Sequence, residues 1–177
     1  MSLAFYGLMS GLACLIISAG DTPLRERIFG APTDDLHALL NAAIGAGAGL
    51  GIVLISWLAR GLPYAQSVQR ELAAALGPQT TTSITVLAVS SAVGEELLFR
   101  AALQPALGFW WTATLFGLLH GGYNPKLFAW TLFAFLAGIL LGALAEWTGS
   151  LLAPIVTHLT VNFWNLHALS ARAGSLA

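Results

Sequence analysis

The stretch SAVGEELLFRAAL, residues 91–103, places three charged side chains inside one of the most apolar regions of the chain. Of the 177 residues, 57% are hydrophobic and only 8% are charged, and the mean hydropathy is +0.79. Soluble domains carry roughly 25% charged residues, so this inventory is too small to cover a water-exposed surface. The composition predicts an all-α protein solvated by lipid, in which residues 91–103 belong to a spanning helix.

Uncharged runs separated by charges, prolines and turn residues predict the helices around this stretch. We expect six spanning helices, at residues 3–19, 36–59, 81–103, 107–121, 127–146 and 151–168. Residues 65–76 have helical apolar spacing but are too short to span, which indicates an interfacial amphipathic helix. The prediction is a polytopic transmembrane helical bundle that forms a single domain over residues 1–177, with its motif-bearing core at about 81–168.

Several local features refine this prediction. No Lys or Arg precedes Arg25, so the first helix lacks the basic start of a signal peptide and is expected to be retained. Pro105 is expected to separate the third helix from the fourth at Gln104-Pro105. The small residues of GAGAGLG, 45–51, predict close packing of the second helix on a neighbour. Counting basic residues on each side, four against two, favours both termini in the cytoplasm.

The composition also limits the partners. A net charge of −1 excludes a polybasic nucleic-acid surface. Cys14 is the single cysteine, so no intrachain disulfide can form. We therefore predict a multi-pass protein of a cell membrane, the inner membrane of a bacterium, in contact with the lipid bilayer and with no nucleic-acid partner.

The first polar motif is Glu95-Glu96 followed by Arg100. Glu96 and Arg100 are four residues apart, the favourable order for a helical ion pair. Glu95 points roughly 100° around the helix from Glu96 and has no obvious partner of its own. Adjacent glutamates in unlike environments can supply one structural carboxylate and one general base. Alternatively, Arg100 ends the helix at the interface and both glutamates reach toward the headgroups.

Two further motifs place a histidine one helical turn from a second conspicuous residue. Phe116 and His120 share a face of the fourth predicted helix, and His158 and Asn162 share a face of the sixth. Pro154, one turn before His158, is expected to remove a backbone hydrogen bond and kink the sixth helix. His158 and Asn162 resemble a donor pair aimed at an oxyanion. The alternatives are a buried or capping histidine at position 120 and interhelical hydrogen bonds at 158 and 162.

Together the three motifs resemble the signature of the CPBP family, the CAAX prenyl protease and bacteriocin-processing proteins, also called the ABI family. The family pattern is EExxxR, FxxxH and HxxxN or HxxxD, each on its own transmembrane helix. This chain supplies EELLFR at 95–100, FGLLH at 116–120 and HLTVN at 158–162, in that order. The resemblance covers about residues 81–165.

The resemblance implies a helical membrane fold around a polar chamber and glutamate-dependent intramembrane endopeptidase chemistry. It implies that Glu95 activates water with the assistance of His120, and that Glu96 and Arg100 support them. It further implies that His158 and Asn162 form the oxyanion site. Small members of the family are linked to bacteriocin maturation or self-immunity and to cleavage of membrane sorting tails. The expected partner is therefore a membrane-embedded or lipid-proximal peptide, and no cofactor is expected.

Other chemistries fit less well. The chain has no HExxH, no GxSxG serine and no aspartate inside a predicted span, which argues against zinc, serine and aspartyl proteases of those types. A metal held by Glu95, His120 and His158 stays chemically open. The rival functions are a non-catalytic scaffold or self-immunity protein that keeps the motifs for folding, and a proton-coupled transporter.

Overall fold

The computed structural model describes residues 2–19, 24–29, 35–122 and 124–175, and every regular element within these ranges is a helix. The helices are α1 (Ser2–Ser18), α2 (Leu24–Phe29), α3 (Asp35–Ala59), α4 (Pro63–Leu76), α5 (Thr81–Glu96), a π-helix (Leu97–Leu103), α6 (Gln104–Leu107), α7 (Phe109–Gly121), a 3-10 turn (Pro125–Leu127), α8 (Phe128–Thr148) and α9 (Leu152–Gly174). The all-α prediction is confirmed for these residues, and the predicted helices recur with ends that differ by up to six residues.

Three sequence-based details are wrong. Residues 24–29, which lie between the first two predicted helices and outside every predicted helix, form the short helix α2. The predicted break at Gln104-Pro105 falls instead at Gly108, because α6 continues the preceding helix through Pro105 and Gly108 has a φ of +84°, a conformation that favours glycine. Pro154 removes no hydrogen bond within α9, because it lies in the first turn, where backbone N–H groups have no partner within the helix.

Judged by length and hydropathy, fewer helices qualify as membrane spans than the six that the sequence predicts. Among the described residues, only Asp35–Ala59 and Pro125–Thr148 are both long and apolar enough to qualify. Helices α1 and α7, with 17 and 13 residues, are shorter than the roughly 20 residues with which a helix crosses a bilayer. Two such helices are consistent with insertion into a membrane, and the six-span prediction is not confirmed.

Helix α3 packs closely against α9 through two of its glycines. A side chain on Gly45 would collide with the Ala153 carbonyl oxygen, and one on Gly49 would lie 2.7 Å from Cβ of Thr160. The hydroxyl of Thr157 donates to the Gly45 carbonyl at 3.0 Å across the same contact. The close packing predicted from GAGAGLG is therefore confirmed for its first and third glycines.

The continuous helix formed by α5 and the π-helix is the centre of the molecule. It contacts α1 on one side, α9 on another and α7 and α8 on a third. Two apolar clusters surround it, one containing Ile17, Leu97 and Leu151, the other containing Phe99 and Phe116. The motif that carries Glu95 and Glu96 thus lies where helices from the whole chain converge.

Candidate active site

The π-helix sets the positions of Arg100 and Gln104. The N–H of Gln104 donates to the carbonyl of Phe99, five residues earlier, which is the hydrogen-bond pattern of this rare helix type. Nη2 of Arg100 donates to the Gly138 carbonyl at 3.3 Å, and Nε2 of Gln104 donates to the Gly142 carbonyl at 3.2 Å. Two side chains one turn apart therefore bind two carbonyls one turn apart on α8.

Glu96 is the most deeply buried acid of the site, with 0% of its surface exposed. Its Oε1 lies 3.2 Å from Nη1 of Arg100 and 2.7 Å from Nδ1 of His158. The structure thus contains the ion pair predicted between Glu96 and Arg100, and it adds His158 from α9. One carboxylate oxygen fixes two of the three motifs relative to each other.

Glu95 is also buried, with 7% exposure, but its surroundings are different. Its Oε2 lies 3.5 Å from Nε2 of His120 and 3.9 Å from Nε2 of His158. This oxygen has no hydrogen-bond partner among the described residues. The sequence left Glu95 without a partner, whereas the structure places it between two imidazoles from α7 and α9.

His120 is oriented by the residue one turn before it. Its Nδ1 lies 2.7 Å from the carbonyl oxygen of Phe116. Because a carbonyl only accepts, Nδ1 carries the hydrogen and donates it. Nε2 therefore faces Glu95 either as the free nitrogen of a neutral ring or as the N–H of a protonated ring. Glu95 and His120 are consequently placed to exchange a proton.

The Phe116 ring connects the charged groups of the site. The ring is buried, and Cζ of Arg100 lies over it at 4.4 Å from the ring centroid, which is cation–π geometry. Its centroid is also 4.3 Å from that of His120 and 5.9 Å from that of His158. This contact gives a physical reason for the phenylalanine of the FxxxH motif.

Asn162 lies one turn beyond His158 and faces α5. Its Nδ2 donates to the hydroxyl of Ser91 at 2.9 Å, and that hydroxyl donates to the Ala88 carbonyl at 3.2 Å. One of the two amide hydrogens of Asn162 is used in this contact, which leaves the second for a ligand. Ser91 therefore sets the orientation of the Asn162 amide.

A small cleft with a volume of about 40 Å³, bounded by residues of α3, α7, α8 and α9, leads to these groups. His120, His158 and Asn162 line it. The remaining walls are mainly apolar and include Ile52 and Leu141. The cleft therefore presents two imidazoles and one amide within an apolar surface.

The structure also identifies residues near the site that the motifs do not include. Tyr6 on α1 packs against Gly94, the neighbour of Glu95, while Ser91 holds Asn162 and Gln104 binds the Gly142 carbonyl of α8. The spacing of Gly138 and Gly142 in GILLG signals a close helix contact and is the clue that could have located the partner of Arg100 and Gln104. No comparable sequence signal points to Tyr6.

No group of three or more His, Cys, Asp or Glu side chains arranged to hold a metal ion occurs among the described residues. Glu95, His120 and His158 do come together, at the Oε2–Nε2 distances given above. All six predicted site residues, Glu95, Glu96, Arg100, His120, His158 and Asn162, therefore surround one region of the molecule.

Two glutamates and an arginine are buried in this helical protein, and they face histidines from two other helices. These features define the class of protein to which it is compared. Residues 77–164 match the protease family described as Type II CAAX prenyl endopeptidase Rce1-like, and this segment of the chain therefore belongs to that family. The match includes all six predicted site residues and confirms the resemblance found from the motifs.

A relative from Bacillus subtilis (strain 168) has the printed name Uncharacterized protein YpbD. It is 38% identical over 81 residues, which are 45% of this chain and 41% of YpbD. The chain thus matches about two fifths of the length of this curated relative. No solved structure matches the chain significantly.

Proposed function

We propose that the protein is an intramembrane endopeptidase in which Glu95 activates the water that hydrolyses a peptide bond. One observation carries the proposal: the buried Oε2 of Glu95 lies between the Nε2 atoms of His120 and His158 without a hydrogen-bond partner of its own among the described residues. A carboxylate held in this way beside imidazoles is suited to accept and return a proton. The family match supports peptidase chemistry in general.

The proposed reaction has two proton transfers. Water between Glu95 and His120 gives a proton to Glu95 as its oxygen attacks the substrate carbonyl carbon. The same proton then passes to the amide nitrogen as the C–N bond breaks, which releases a carboxylic acid and an amine. Glu95 returns to its ionised form, so atoms and charge balance.

His158 and Asn162 are the proposed donors to the oxyanion that forms between these steps. His158 acts in its doubly protonated form, with Nδ1–H toward Glu96 and Nε2–H toward the oxyanion. Asn162 contributes the amide hydrogen that Ser91 does not use. Donors fixed in advance where charge develops stabilise such a transition state. In this scheme Glu96 and Arg100 touch no substrate, and they orient His158.

We further propose that six helical segments span a bacterial cell membrane. They are α1, α3, α5 with the π-helix, α7, α8 and α9. Large apolar side chains are exposed on α1 and α3, among them Leu8, Leu15, Leu39 and Leu58. Trp110, Trp111 and Trp147 are exposed near helix ends, where aromatic residues favour a membrane interface. The Bacillus relative supports a bacterial setting, and the basic residues favour cytoplasmic termini.

The proposed substrate is a membrane-embedded or lipid-proximal peptide. The mainly apolar walls of the cleft support this choice, because they suit a segment that arrives from lipid. The family description names a CAAX prenyl endopeptidase, and a lipidated peptide is one member of the proposed substrate class.

The test uses purified protein in liposomes with a panel of synthetic peptides of about 20 apolar residues, the length that spans a bilayer, labelled at both ends. Glu95→Gln and Glu95→Ala are expected to abolish cleavage while insertion is retained. Glu71→Gln is the matched control, because Glu71 pairs with Lys126 at the surface. Normal cleavage by Glu95→Gln would contradict the mechanism, and wild-type protein that cleaves none of the peptides would favour a scaffold or immunity role. Cleavage lost in EDTA and restored by Zn²⁺ would instead support a metal at Glu95, His120 and His158.

A further inference from the structure

One wall of the cleft is a continuous face of α8. The residues that form it recur every three or four positions, which is the spacing of a single helical face, and they are Trp130, Phe133, Ala134, Ala137 and Leu141. The face begins with two aromatic side chains, and two alanines follow them. The wall is therefore bulky at the aromatic end and leaves more room beside the alanines.

The Trp130 ring lies beside the proposed catalytic groups. Its centroid is 6.0 Å from that of the His120 ring, in an edge-on arrangement. Nε2 of His120 is in turn 3.5 Å from Oε2 of Glu95. The ring of Phe133 stacks on that of Trp130, with centroids 5.3 Å apart and planes inclined by 15°. Both rings are partly exposed and line the cleft, so the stack presents free apolar surface next to the groups proposed to act on the peptide bond.

A glycine of α7 fixes the position of this stack. A Cβ atom added to Gly121 would collide with Thr131 and would lie 2.9 Å from the carbonyl oxygen of Leu127. Gly121 directly follows His120, and Thr131 directly follows Trp130. The closest approach of the two helices is therefore one residue away from each ring, and it holds Trp130 in place relative to His120 before a substrate arrives.

We propose that the Trp130–Phe133 stack is a specificity surface, which binds a large apolar side chain on the substrate residue next to the hydrolysed bond. This inference rests on the proposed function, because it names the side chain that the same site accepts. Consecutive Cα atoms of a peptide are about 3.8 Å apart, so only residues close to the hydrolysed bond reach a ring centred 6.0 Å from that of His120. A large apolar side chain buries area against these rings, whereas alanine is too short and a charged side chain would lose its hydration.

The test first locates the cleaved bond in the liposome assay by mass spectrometry, and then places Phe or Ala on each side of that bond. At one of these positions, we expect the wild-type kcat/KM to be at least about ten-fold higher for the phenylalanine peptide than for the alanine peptide, as for added methylenes in an apolar pocket. Trp130→Ala should bring this ratio close to one, and Trp130→Phe should retain most of it. Trp147→Ala is the matched control, because Trp147 is also on α8 and is 73% exposed.

The alanine peptide also serves as the internal control for folding. Trp130→Ala should cleave it at nearly the wild-type rate, because alanine does not use the stack. If Trp130→Ala fails to insert, Phe133→Ala removes the other ring and should lower the same ratio. The inference is wrong if the wild type does not distinguish the two peptides, if Trp130→Ala keeps the wild-type ratio, or if it loses cleavage of both peptides equally.

A second measurement needs no cleavage. Peptides of about 20 apolar residues carry a benzophenone side chain, which is itself large and apolar, at successive positions. They are irradiated with the Glu95→Gln protein in liposomes. Mass spectrometry should find crosslinks to residues 130–133 for one or two neighbouring positions, and excess phenylalanine peptide should reduce them several-fold more than excess alanine peptide. Crosslinks that avoid residues 130–133, or that both peptides reduce equally, would overturn the proposed surface.

These results separate the two proposals. If Glu95→Gln is inactive and Trp130→Ala keeps the wild-type ratio, the role of the stack fails and the protease proposal stands. If Glu95→Gln cleaves normally, the protease mechanism fails, and the crosslinks still decide whether the stack binds a large apolar side chain.

Discussion

Two ion pairs in this chain have the same N–O distance and very different burial. Nη1 of Arg100 lies 3.2 Å from Oε1 of Glu96, with 1% and 0% of the two side chains exposed. Nζ of Lys126 also lies 3.2 Å from Oε1 of Glu71, with 67% and 42% exposed. The pairs form a matched test of how much the buried cluster contributes to stability, because distance is held constant.

Arg100→Met removes the charge and keeps an apolar stem. Glu96 is then left fully buried with His158 as its remaining charged partner, and breaking a buried pair in this way costs about 3–5 kcal/mol. The variant also loses the bond to the Gly138 carbonyl. Lys126→Met makes the same chemical change where water screens the charges, and it should cost about 0–1 kcal/mol.

A double variant shows whether Arg100→Met destabilises the protein by leaving Glu96 uncompensated or by disturbing the packing. Glu96→Gln combined with Arg100→Met removes both charges of the pair, so it should be more stable than Arg100→Met alone. The measurement is the free energy of unfolding in detergent micelles, from a denaturant titration. The reasoning is refuted if Arg100→Met and Lys126→Met differ by less than about 1 kcal/mol, or if the double variant gains nothing, since a buried uncompensated charge should dominate both comparisons.

Three further predictions concern the helix contact and the site. Gly49→Ala should lower the free energy of unfolding by about 1–3 kcal/mol, because the new methyl meets a side chain of α9 at 2.7 Å, whereas Gly47→Ala faces open space and should be neutral or stabilising by up to about 1 kcal/mol. Phe116→Leu should reduce kcat at least ten-fold in a protein that still inserts, because Arg100 and His120 lose the ring that supports them; unchanged kcat would remove this role. Asn162→Ala should reduce kcat by about 10²–10³ if its amide binds the oxyanion, while Asn165→Ala, assayed in parallel, should have little effect.

Much of the fold and the membership of the site could be predicted from sequence because both depend on short-range patterns. Uncharged runs locate the helices, and four-residue spacing puts Glu96 with Arg100 and Phe116 with His120 on common faces. The convergence of three helices on one site follows from the cost of leaving such groups in lipid. The contact of Glu96 with both Arg100 and His158 is a consequence of that convergence.

The parts that sequence reasoning missed depend on contacts between distant helices. A residue four positions from Glu96 is close to it in both an α-helix and a π-helix, so the spacing of Arg100 could not reveal the π-helix. Pro105 disfavours helix locally, but the α-helical turn around it is retained and ends only at Gly108. Tyr6 is far from every motif in sequence, and its contact with Gly94 depends on how α1 packs on α5.

The four-residue spacing within the first two motifs has a common physical effect in this fold, because a residue one turn away supports the functional group on the same helix. The third motif differs, since His158 and Asn162 are held from α5 by Glu96 and Ser91. Arg100 neutralises Glu96, while the Phe116 carbonyl fixes the ring of His120. Because these two supports lie on the same helix as the group they hold, a small shift between α5 and α7 changes the distance from Glu95 to His120 without removing either support. Catalytic geometry would then be adjusted by helix packing, and Gly94, where α1 meets α5, is a position from which such an adjustment reaches Glu95 directly.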